Sequence, residues 1–402
     1  MAKLKGNAVV GQSGGPTCVI NQSLVGVISE CRRHREISGL YGAVEGVKGI
    51  LNENFYDLSR EKSPTLELVA RTPAAALRSV RKKPSPEECA RMFEIFKKYD
   101  VRYFFYIGGN DSAETANIVN EMAAKEHYDL RVFHVPKTID NDLLVTDHCP
   151  GYGSAARFVA AAVIGDGLDN ESLQGIKIDV IMGRHAGFLT AASRLGRSGE
   201  DTAPHLIYVP ERPFDMKKFL ADVDRVYKKL GRCLVAVSEG IADAQGNPVY
   251  QSKEVDAYGN VQLSGSGALG DFLAAQIKAN LGEKLRVRAD TFGYLQRCFP
   301  GFASEVDTKE ARQVGILAVK YACKDNRDGS VAIRRKPGKK YSVEYFLTPL
   351  ASVAKATRGL PDEFISPDAN DITQAFVDYA LPLLGKMPVV KRLAGVKVTR
   401  RG

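Results

Sequence analysis

Short apolar runs alternate with stretches whose apolar residues recur every three or four positions as far as about residue 240. Residues 8–10 read as a short buried strand. Beyond them Ile20, Leu24, Val27, Ile28 and Cys31 fall on one face of a helix. Ser85-Pro86-Glu87-Glu88 is a helix start, with Ser85 as cap, Pro86 at the first helical position and Glu88 closing a capping box. Met92, Phe93 and Phe96 then face inward, and Lys97 and Lys98 sit at the negative end of the helix dipole. Residues 103–107, 132–135, 176–182, 206–209 and 234–238 are further β-rich runs, each followed by a polar or glycine-rich turn, and residues 158–164 read as a core helix. Strand, turn and helix in repetition predict an α/β fold, a mostly parallel sheet covered by helices on both faces. Ligands in such sheets sit beyond the carboxyl ends of the strands. Residues 242–266 are polar and read as a surface loop or small insertion, and 327–340 as an exposed basic loop. A strand at 341–347 and a terminal helix at 372–384, kinked or ended by Pro382, complete the pattern.

Composition narrows the class. The 402 residues suit two or three domains or one bilobal enzyme, and 44% hydrophobic with 26% charged residues is ordinary for a globular protein. No run approaches the ~18 apolar residues of a membrane span, and the N-terminus shows no signal-peptide pattern, so a cytoplasmic protein without membrane contact is expected. The seven cysteines are scattered and form no Cys-x-x-Cys pair, which points to free thiols. A net charge of +9 fits either an anionic partner or a mildly basic surface. The basic stretches carry no interleaved aromatic residues, so small phosphorylated substrates explain them better than nucleic acid.

Several segments carry candidate chemistry. Gly11-Gln12-Ser13-Gly14-Gly15-Pro16-Thr17 follows a strand and opens a helix, and Gly108-Gly109-Asn110-Asp111-Ser112 repeats the arrangement; two such loops at neighbouring strand ends suit a polyphosphate. Neither is a Walker loop. In Pro136-Lys137-Thr138-Ile139-Asp140-Asn141-Asp142 one carboxylate can take a substrate proton, another can help hold a metal, and Lys137 can neutralise a phosphoryl group; the same Asp-Asn-Asp is also an ordinary turn. Gly151-Tyr152-Gly153-Ser154-Ala155-Ala156 mimics a dinucleotide fingerprint but lacks the strand that should precede it. Met182-Gly183-Arg184-His185 offers Arg184 to an anion and His185 as a base or a helix cap. Glu239 offers a carboxylate for sugar hydroxyls. Arg286, Arg288 and Arg297 around Tyr294 suit a phosphosugar or a solvated surface.

In this order the motifs resemble the phosphofructokinase family over most of the first 300 residues. The resemblance implies two Rossmann-like lobes with the active site between them. Residues 1–150, completed by about 296–345, would bind the donor; 151–295 would bind the sugar phosphate; 346–402 would form a C-terminal extension. It makes Asp140 the base that deprotonates the C1 hydroxyl of fructose 6-phosphate, flanked by Thr138 and Asp142. Met182, Gly183, Arg184 and Glu239 would contact the sugar phosphate, and Arg288, Tyr294 and Arg297 its 6-phosphate end. Arg288 would come from a neighbouring subunit of a homodimer or homotetramer. Gly11, Gly15, Arg81, Gly109 and Ser112 would lie on the donor side. ATP-using members commonly carry glycine where this chain has Asp111 and Lys137, and both exchanges resemble the pyrophosphate-dependent branch. A carboxylate ~4 Å from a nucleotide phosphate costs about 4 kcal/mol at an effective dielectric near 20, roughly a thousandfold in affinity. Pyrophosphate lacks the group that Asp111 would repel. Asn110 replaces the aspartate usually associated with Mg2+, which leaves Asn110, Asp111 and Asp142 as the candidate ligands. The expected reaction is reversible transfer from pyrophosphate to fructose 6-phosphate. Transfer from ATP, or a non-catalytic sugar-phosphate-binding regulator on the same fold, are the alternatives.

Overall fold

The computed structural model describes residues 4–250, 267–338, 340–354, 356–395 and 398. Of the polar 242–266 stretch, residues 251–266 lie outside the described residues. In chain order the first part forms β1 (Gly6–Gln12), α1 (Ile20–Cys31), β2 (Ile37–Ala43), α2 (Gly46–Leu51), β3 (Phe55–Asp57), α3 (Ser63–Arg71), α4 (Pro86–Lys98), β4 (Val101–Gly108), α5 (Asn110–Lys125) and β5 (Arg131–Pro136). Next come α6 (Tyr152–Ser172), β6 (Ile176–Ile181), α7 (Phe188–Ala192), β7 (Leu206–Tyr208), α8 (Met216–Leu230), β8 (Cys233–Ser238), α9 (Ala268–Leu281), β9 (Val287–Thr291) and α10 (Leu295–Cys298). The chain ends through α11 (Glu305–Lys324), β10 (Gly329–Arg335), β11 (Val343–Thr348), α12 (Leu350–Val353) and α13 (Gln374–Leu384).

Two sheets result. The larger runs β11-β10-β5-β4-β1-β2-β3, antiparallel at β10/β11 and β2/β3 and otherwise parallel. The smaller runs β7-β8-β6-β9 and is wholly parallel. The period of two along a strand splits the larger sheet's core. Ala8, Val10, Tyr103 and Phe105 pack with residues of α1 and α11, while Val9, Phe104 and Tyr106 pack with those of α4 and α5. Covered on both faces, β1 and β4 are apolar without alternation, which is why they could be read directly from the sequence. Helices α1 and α11 cross closely at two glycines: a Cβ on Gly26 would stand 2.4 Å from the Arg312 carbonyl oxygen, and one on Gly315 2.3 Å from that of Ser23. The Ser85–Glu88 capping box opens α4.

The sequence reading needs three corrections. Residues 327–340 are not an exposed basic loop, because β10 fills 329–335 with Ser330, Val331, Ala332 and Ile333 buried. Its basic end is met by cross-strand and tertiary partners, Arg334 with Glu344 at 3.1 Å and Arg335 with Asp147 at 3.1 Å, so charge does not prevent pairing. The terminal helix begins at Gln374 and runs through Pro382 to Leu384. Strands β2, β3 and β9 escaped the sequence reading: β2 carries two glycines, β3 is a three-residue edge strand with no buried residue, and β9 is an edge strand in which only Val287 is buried. All seven cysteines are free thiols. Among the described residues no helix is long and apolar enough to cross a membrane.

Candidate active site

The C-terminal ends of β1, β4 and β5 from the larger sheet, and of β6 and β8 from the smaller, open on one cavity of about 450 Å³. After β1 it is lined by Gly14 and Gly15, after β4 by Gly109, Asn110, Asp111 and Ser112, and after β5 by Lys137, Thr138, Ile139, Asp140 and Asp142. The smaller sheet supplies Met182, Arg184, His185 and Glu239; Arg81, Tyr294, Arg297 and Thr357 complete the wall.

The turn after β4 is built for close approach. A Cβ on Gly108 would lie 1.9 Å from Ser112 Oγ, so only glycine lets α5 start there. Beneath it His134 is fully buried, and burial pushes its pKa down to about 4. The neutral ring donates from Nε2 to the Gly108 carbonyl at 2.8 Å and accepts the Ser330 hydroxyl at Nδ1 (2.9 Å). One β10 side chain thereby supports the loop that presents Asn110 and Asp111.

The loop after β5 is held just as firmly. The Lys137 amide donates to the Gly108 carbonyl at 3.0 Å and the Thr138 amide to that of Pro150 at 3.1 Å. Thr138 Oγ1 accepts the Asp140 amide at 3.0 Å. Asn141 takes the left-handed conformation (φ 59°), accepts the Cys149 amide at 2.9 Å and donates to Tyr379 Oη at 2.8 Å. Arg358 caps the loop: its guanidinium donates to the carbonyls of Asn141 (2.8 Å), Thr146 (2.7 Å) and Asp147 (2.7 Å), and its amide to that of Asp142 (2.9 Å). Downstream, buried His148 lies between Asp147 (2.7 Å) and Glu310 (2.5 Å). Burial opposes its charge, but the two carboxylates prevail and hold its pKa at about 9.

Burial also sets the electrostatics of the cavity. Lys137, 2% exposed, donates to the Gly15 carbonyl at 2.6 Å; desolvation and then the nearby Arg297 push its pKa down to about 7. Desolvation raises the pKa of Asp140, against the pull of Arg297, Lys137 and Arg81. Asp142 is raised to about 6 by burial and by Asp140. Arg297 stacks over the Tyr294 ring, 4.7 Å from its centroid. His185 is pushed down by burial and by Arg184. Asn110 Nδ2 donates to Asp142 Oδ2 at 2.7 Å, leaving Asn110 Oδ1 and Asp142 Oδ1 buried without a hydrogen-bond partner. Two such oxygens are donors of the kind a hard cation takes.

The family follows from comparison with known proteins. The family described as phosphofructokinase matches residues 7–322. The chain belongs to the phosphofructokinase family. It is 54% identical over 401 residues to the pyrophosphate–fructose 6-phosphate 1-phosphotransferase of Rhodospirillum rubrum, covering 98% of each chain. To the protein of the same name from Halomonas elongata it is 38% identical, again with 98% of each covered. The crystal structure of a pyrophosphate-dependent phosphofructokinase from Marinobacter aquaeolei superimposes with a TM-score of 0.85 at 33% identity, covering 98% of both chains.

Of the residues to which the resemblance gave a site role, most line the cavity and three do not. Gly11 lies inside β1, where a Cβ would meet the Tyr106 ring at 3.1 Å. Gly183 is set back, its amide 3.5 Å from Glu239 Oε1. Arg288 is exposed on edge strand β9, away from its own chain's cavity. Sequence reasoning missed Thr357, Arg358 and His134. The first two lie over 200 residues from the loop they join, and no local spacing signals such a contact.

Proposed function

We propose that the cavity transfers a phosphoryl group reversibly from pyrophosphate to the C1 hydroxyl of fructose 6-phosphate, giving fructose 1,6-bisphosphate and phosphate. One observation carries the reading. Half-buried Asp140 and buried Lys137 share one wall, with exposed Asp111 on the same cavity at the N-terminus of α5. The pyrophosphate-dependent enzymes named above support it.

Asp140 accepts the C1 hydroxyl proton as that oxygen attacks the terminal phosphorus. The bridging P–O bond breaks, and its electron pair leaves with phosphate. In reverse Asp140 returns the proton. Burial raises its pKa toward working pH, which strengthens it as a base while Arg297 keeps it ionisable. Lys137 and Arg81 face the transferring phosphoryl, where charge stabilisation provides most of the catalysis, and Arg297 holds the 6-phosphate end of the sugar with Tyr294. Arg184, Met182, Glu239 and Tyr294 hold the sugar phosphate; Gly15, Gly109 and Ser112 hold the donor; Asp111 excludes a nucleotide α-phosphate. Thr138 anchors the Asp140 amide. Gly11 and Gly183 serve by close packing. The division into a donor lobe (1–150 with 296–345), a sugar lobe (151–295) and a C-terminal extension belongs to the same proposal.

Asn110 and Asp142, through their unpartnered oxygens, with Asp111 beside them, would hold Mg2+. When bound, Mg2+ would neutralise pyrophosphate oxygens. Among the described residues Asp111, Asp140 and Asp142 do not converge as a three-ligand cluster, which suits an ion that completes its shell with phosphate and water. Exposed Arg288 would serve the sugar site of a neighbouring copy in a homodimer or homotetramer.

The test is a donor comparison: purified enzyme, fructose 6-phosphate and Mg2+, with either pyrophosphate or ATP. A kcat/KM for pyrophosphate at least ~100-fold above that for ATP is expected, since a 3 kcal/mol penalty at Asp111 already gives that ratio. Efficient ATP turnover without pyrophosphate activity overturns the reading.

A further inference from the structure

The central strand β6 of the smaller sheet is wholly buried, yet it carries Lys177 and Asp179 on the face that turns to α6. Asp179 is 0% exposed, and neither of its carboxylate oxygens has a hydrogen-bond partner. Beside it, Asp166 on α6 leaves its Oδ2 buried and unpartnered. Asp290, the register partner of Asp179 on β9, brings a third carboxylate. One oxygen from each of the three lies within 4.8 Å of the others. Lys177 bonds the remaining Asp166 oxygen and also reaches Asp169 at 2.6 Å. Lys177 is the cation bonded to this group, with Arg286 acting on exposed Asp169 from further out, so buried Asp179 is left without a cation of its own in a place where a lone buried carboxylate is costly.

Nothing in the reaction uses this cluster; it lies within the smaller sheet, and none of its residues lines the cavity. We propose that Asp166, Asp179 and Asp290 form a second site for a hard divalent cation. The spread of the oxygens suits the chemistry: ligands on opposite sides of Mg2+ or Ca2+ lie ~4–5 Å apart, twice the metal–oxygen distance. All three donors are carboxylates, the set that selects Mg2+, Mn2+ or Ca2+ over softer ions. Asp290 is exposed and provides an entry path. The ion ties α6, β6 and β9 together. β6 runs on to Met182 and Arg184, and β9 to Tyr294 and Arg297, so the site braces two walls of the cavity from behind.

The experiment uses full-length enzyme stripped with chelator, without sugar phosphate or pyrophosphate. Mn2+ binding is followed by electron paramagnetic resonance, and melting temperature with Mn2+, Mg2+ or Ca2+ by calorimetry. One Mn2+ per chain is expected, with a rise in melting temperature. Asp290→Asn, a change at an exposed position, weakens binding at least tenfold, and Asp179→Asn abolishes it. Asp142→Asn, in the cavity, leaves it intact. Unchanged Mn2+ stoichiometry in both the Asp179 and Asp290 variants overturns the proposal. So does absence of binding in the parent enzyme together with a melting temperature that falls as pH rises, the signature of carboxyls sharing a proton instead of an ion.

Discussion

Asp140 and Lys137 sit three positions apart in one loop, and burial moves both toward neutrality: the carboxyl pKa rises and the ammonium pKa falls. Arg297 acts on them in opposite senses, drawing Asp140 back toward its ionised form and pushing Lys137 further toward losing its proton. Asp140→Asn, which keeps the shape and removes the base, is expected to lower kcat by ~10²–10⁴ with sugar-phosphate binding nearly unchanged; near-normal turnover in a steady-state assay would reject Asp140 as the base. Lys137 in the free enzyme is charged below about pH 7 and loses its proton above it. The pH profile of kcat/KM for pyrophosphate should therefore fall on the alkaline side near 7. It should fall on the acid side as Asp140 and Asp142, the latter at about 6, take up protons. Bound pyrophosphate favours the charged lysine, so the alkaline limb of kcat moves to higher pH. Lys137→Arg, whose charge persists, should lose that limb from its residual activity; an unchanged limb assigns it elsewhere. The residue types were legible in the sequence because Lys137, Asp140 and Asp142 occupy one short run after a strand. Their burial was not, because it comes from segments remote in sequence.

At the scale of elements, the loop after β5 is fixed by the C-terminal segment. Arg358 supplies three charge-assisted hydrogen bonds to its carbonyls and stacks over Phe188, 5.2 Å from the ring centroid. Asn141, between the two aspartates, is held in a left-handed conformation that this clamp secures. Arg358→Ala should lower kcat ~10- to 100-fold, the cost of a displacement of about 1 Å, while direct binding of fructose 6-phosphate changes little. Arg358→Lys should recover little, because an ammonium cannot reproduce the planar fork. Separate measurement of kcat and ligand affinity checks this, and wild-type kcat in the alanine variant would exclude a positioning role. Strands buried on both faces, such as β1, β4 and β8, were readable as apolar runs. β9 and β10 were not: their charged residues read as surface until pairing in the sheet gives each a partner or an exposed edge.

For the whole molecule, the site exists because two sheets bring their carboxyl ends to one cavity. Arg288 stands outside its own chain's cavity, on the edge of the smaller sheet. Arg288→Ala should raise KM for fructose 6-phosphate ~10-fold or more, as loss of a charged hydrogen bond to phosphate would. Mixed oligomers of an Arg288→Ala chain with an Asp140→Asn chain should regain activity if the arginine serves a neighbour; no recovery places it otherwise. The sequence by itself determined the alternation of strand and helix, the glycine turns at strand ends and the run that holds Lys137 and Asp140. These are local: hydrophobic periodicity and turn chemistry depend on residues a few positions apart. Only the tertiary structure decided that β10 and β11 return to the first sheet, that Arg358 clamps a loop more than 200 residues away, and that Asp166, Asp179 and Asp290 meet. Those contacts depend on which distant surfaces bury one another, and no spacing along the chain records that.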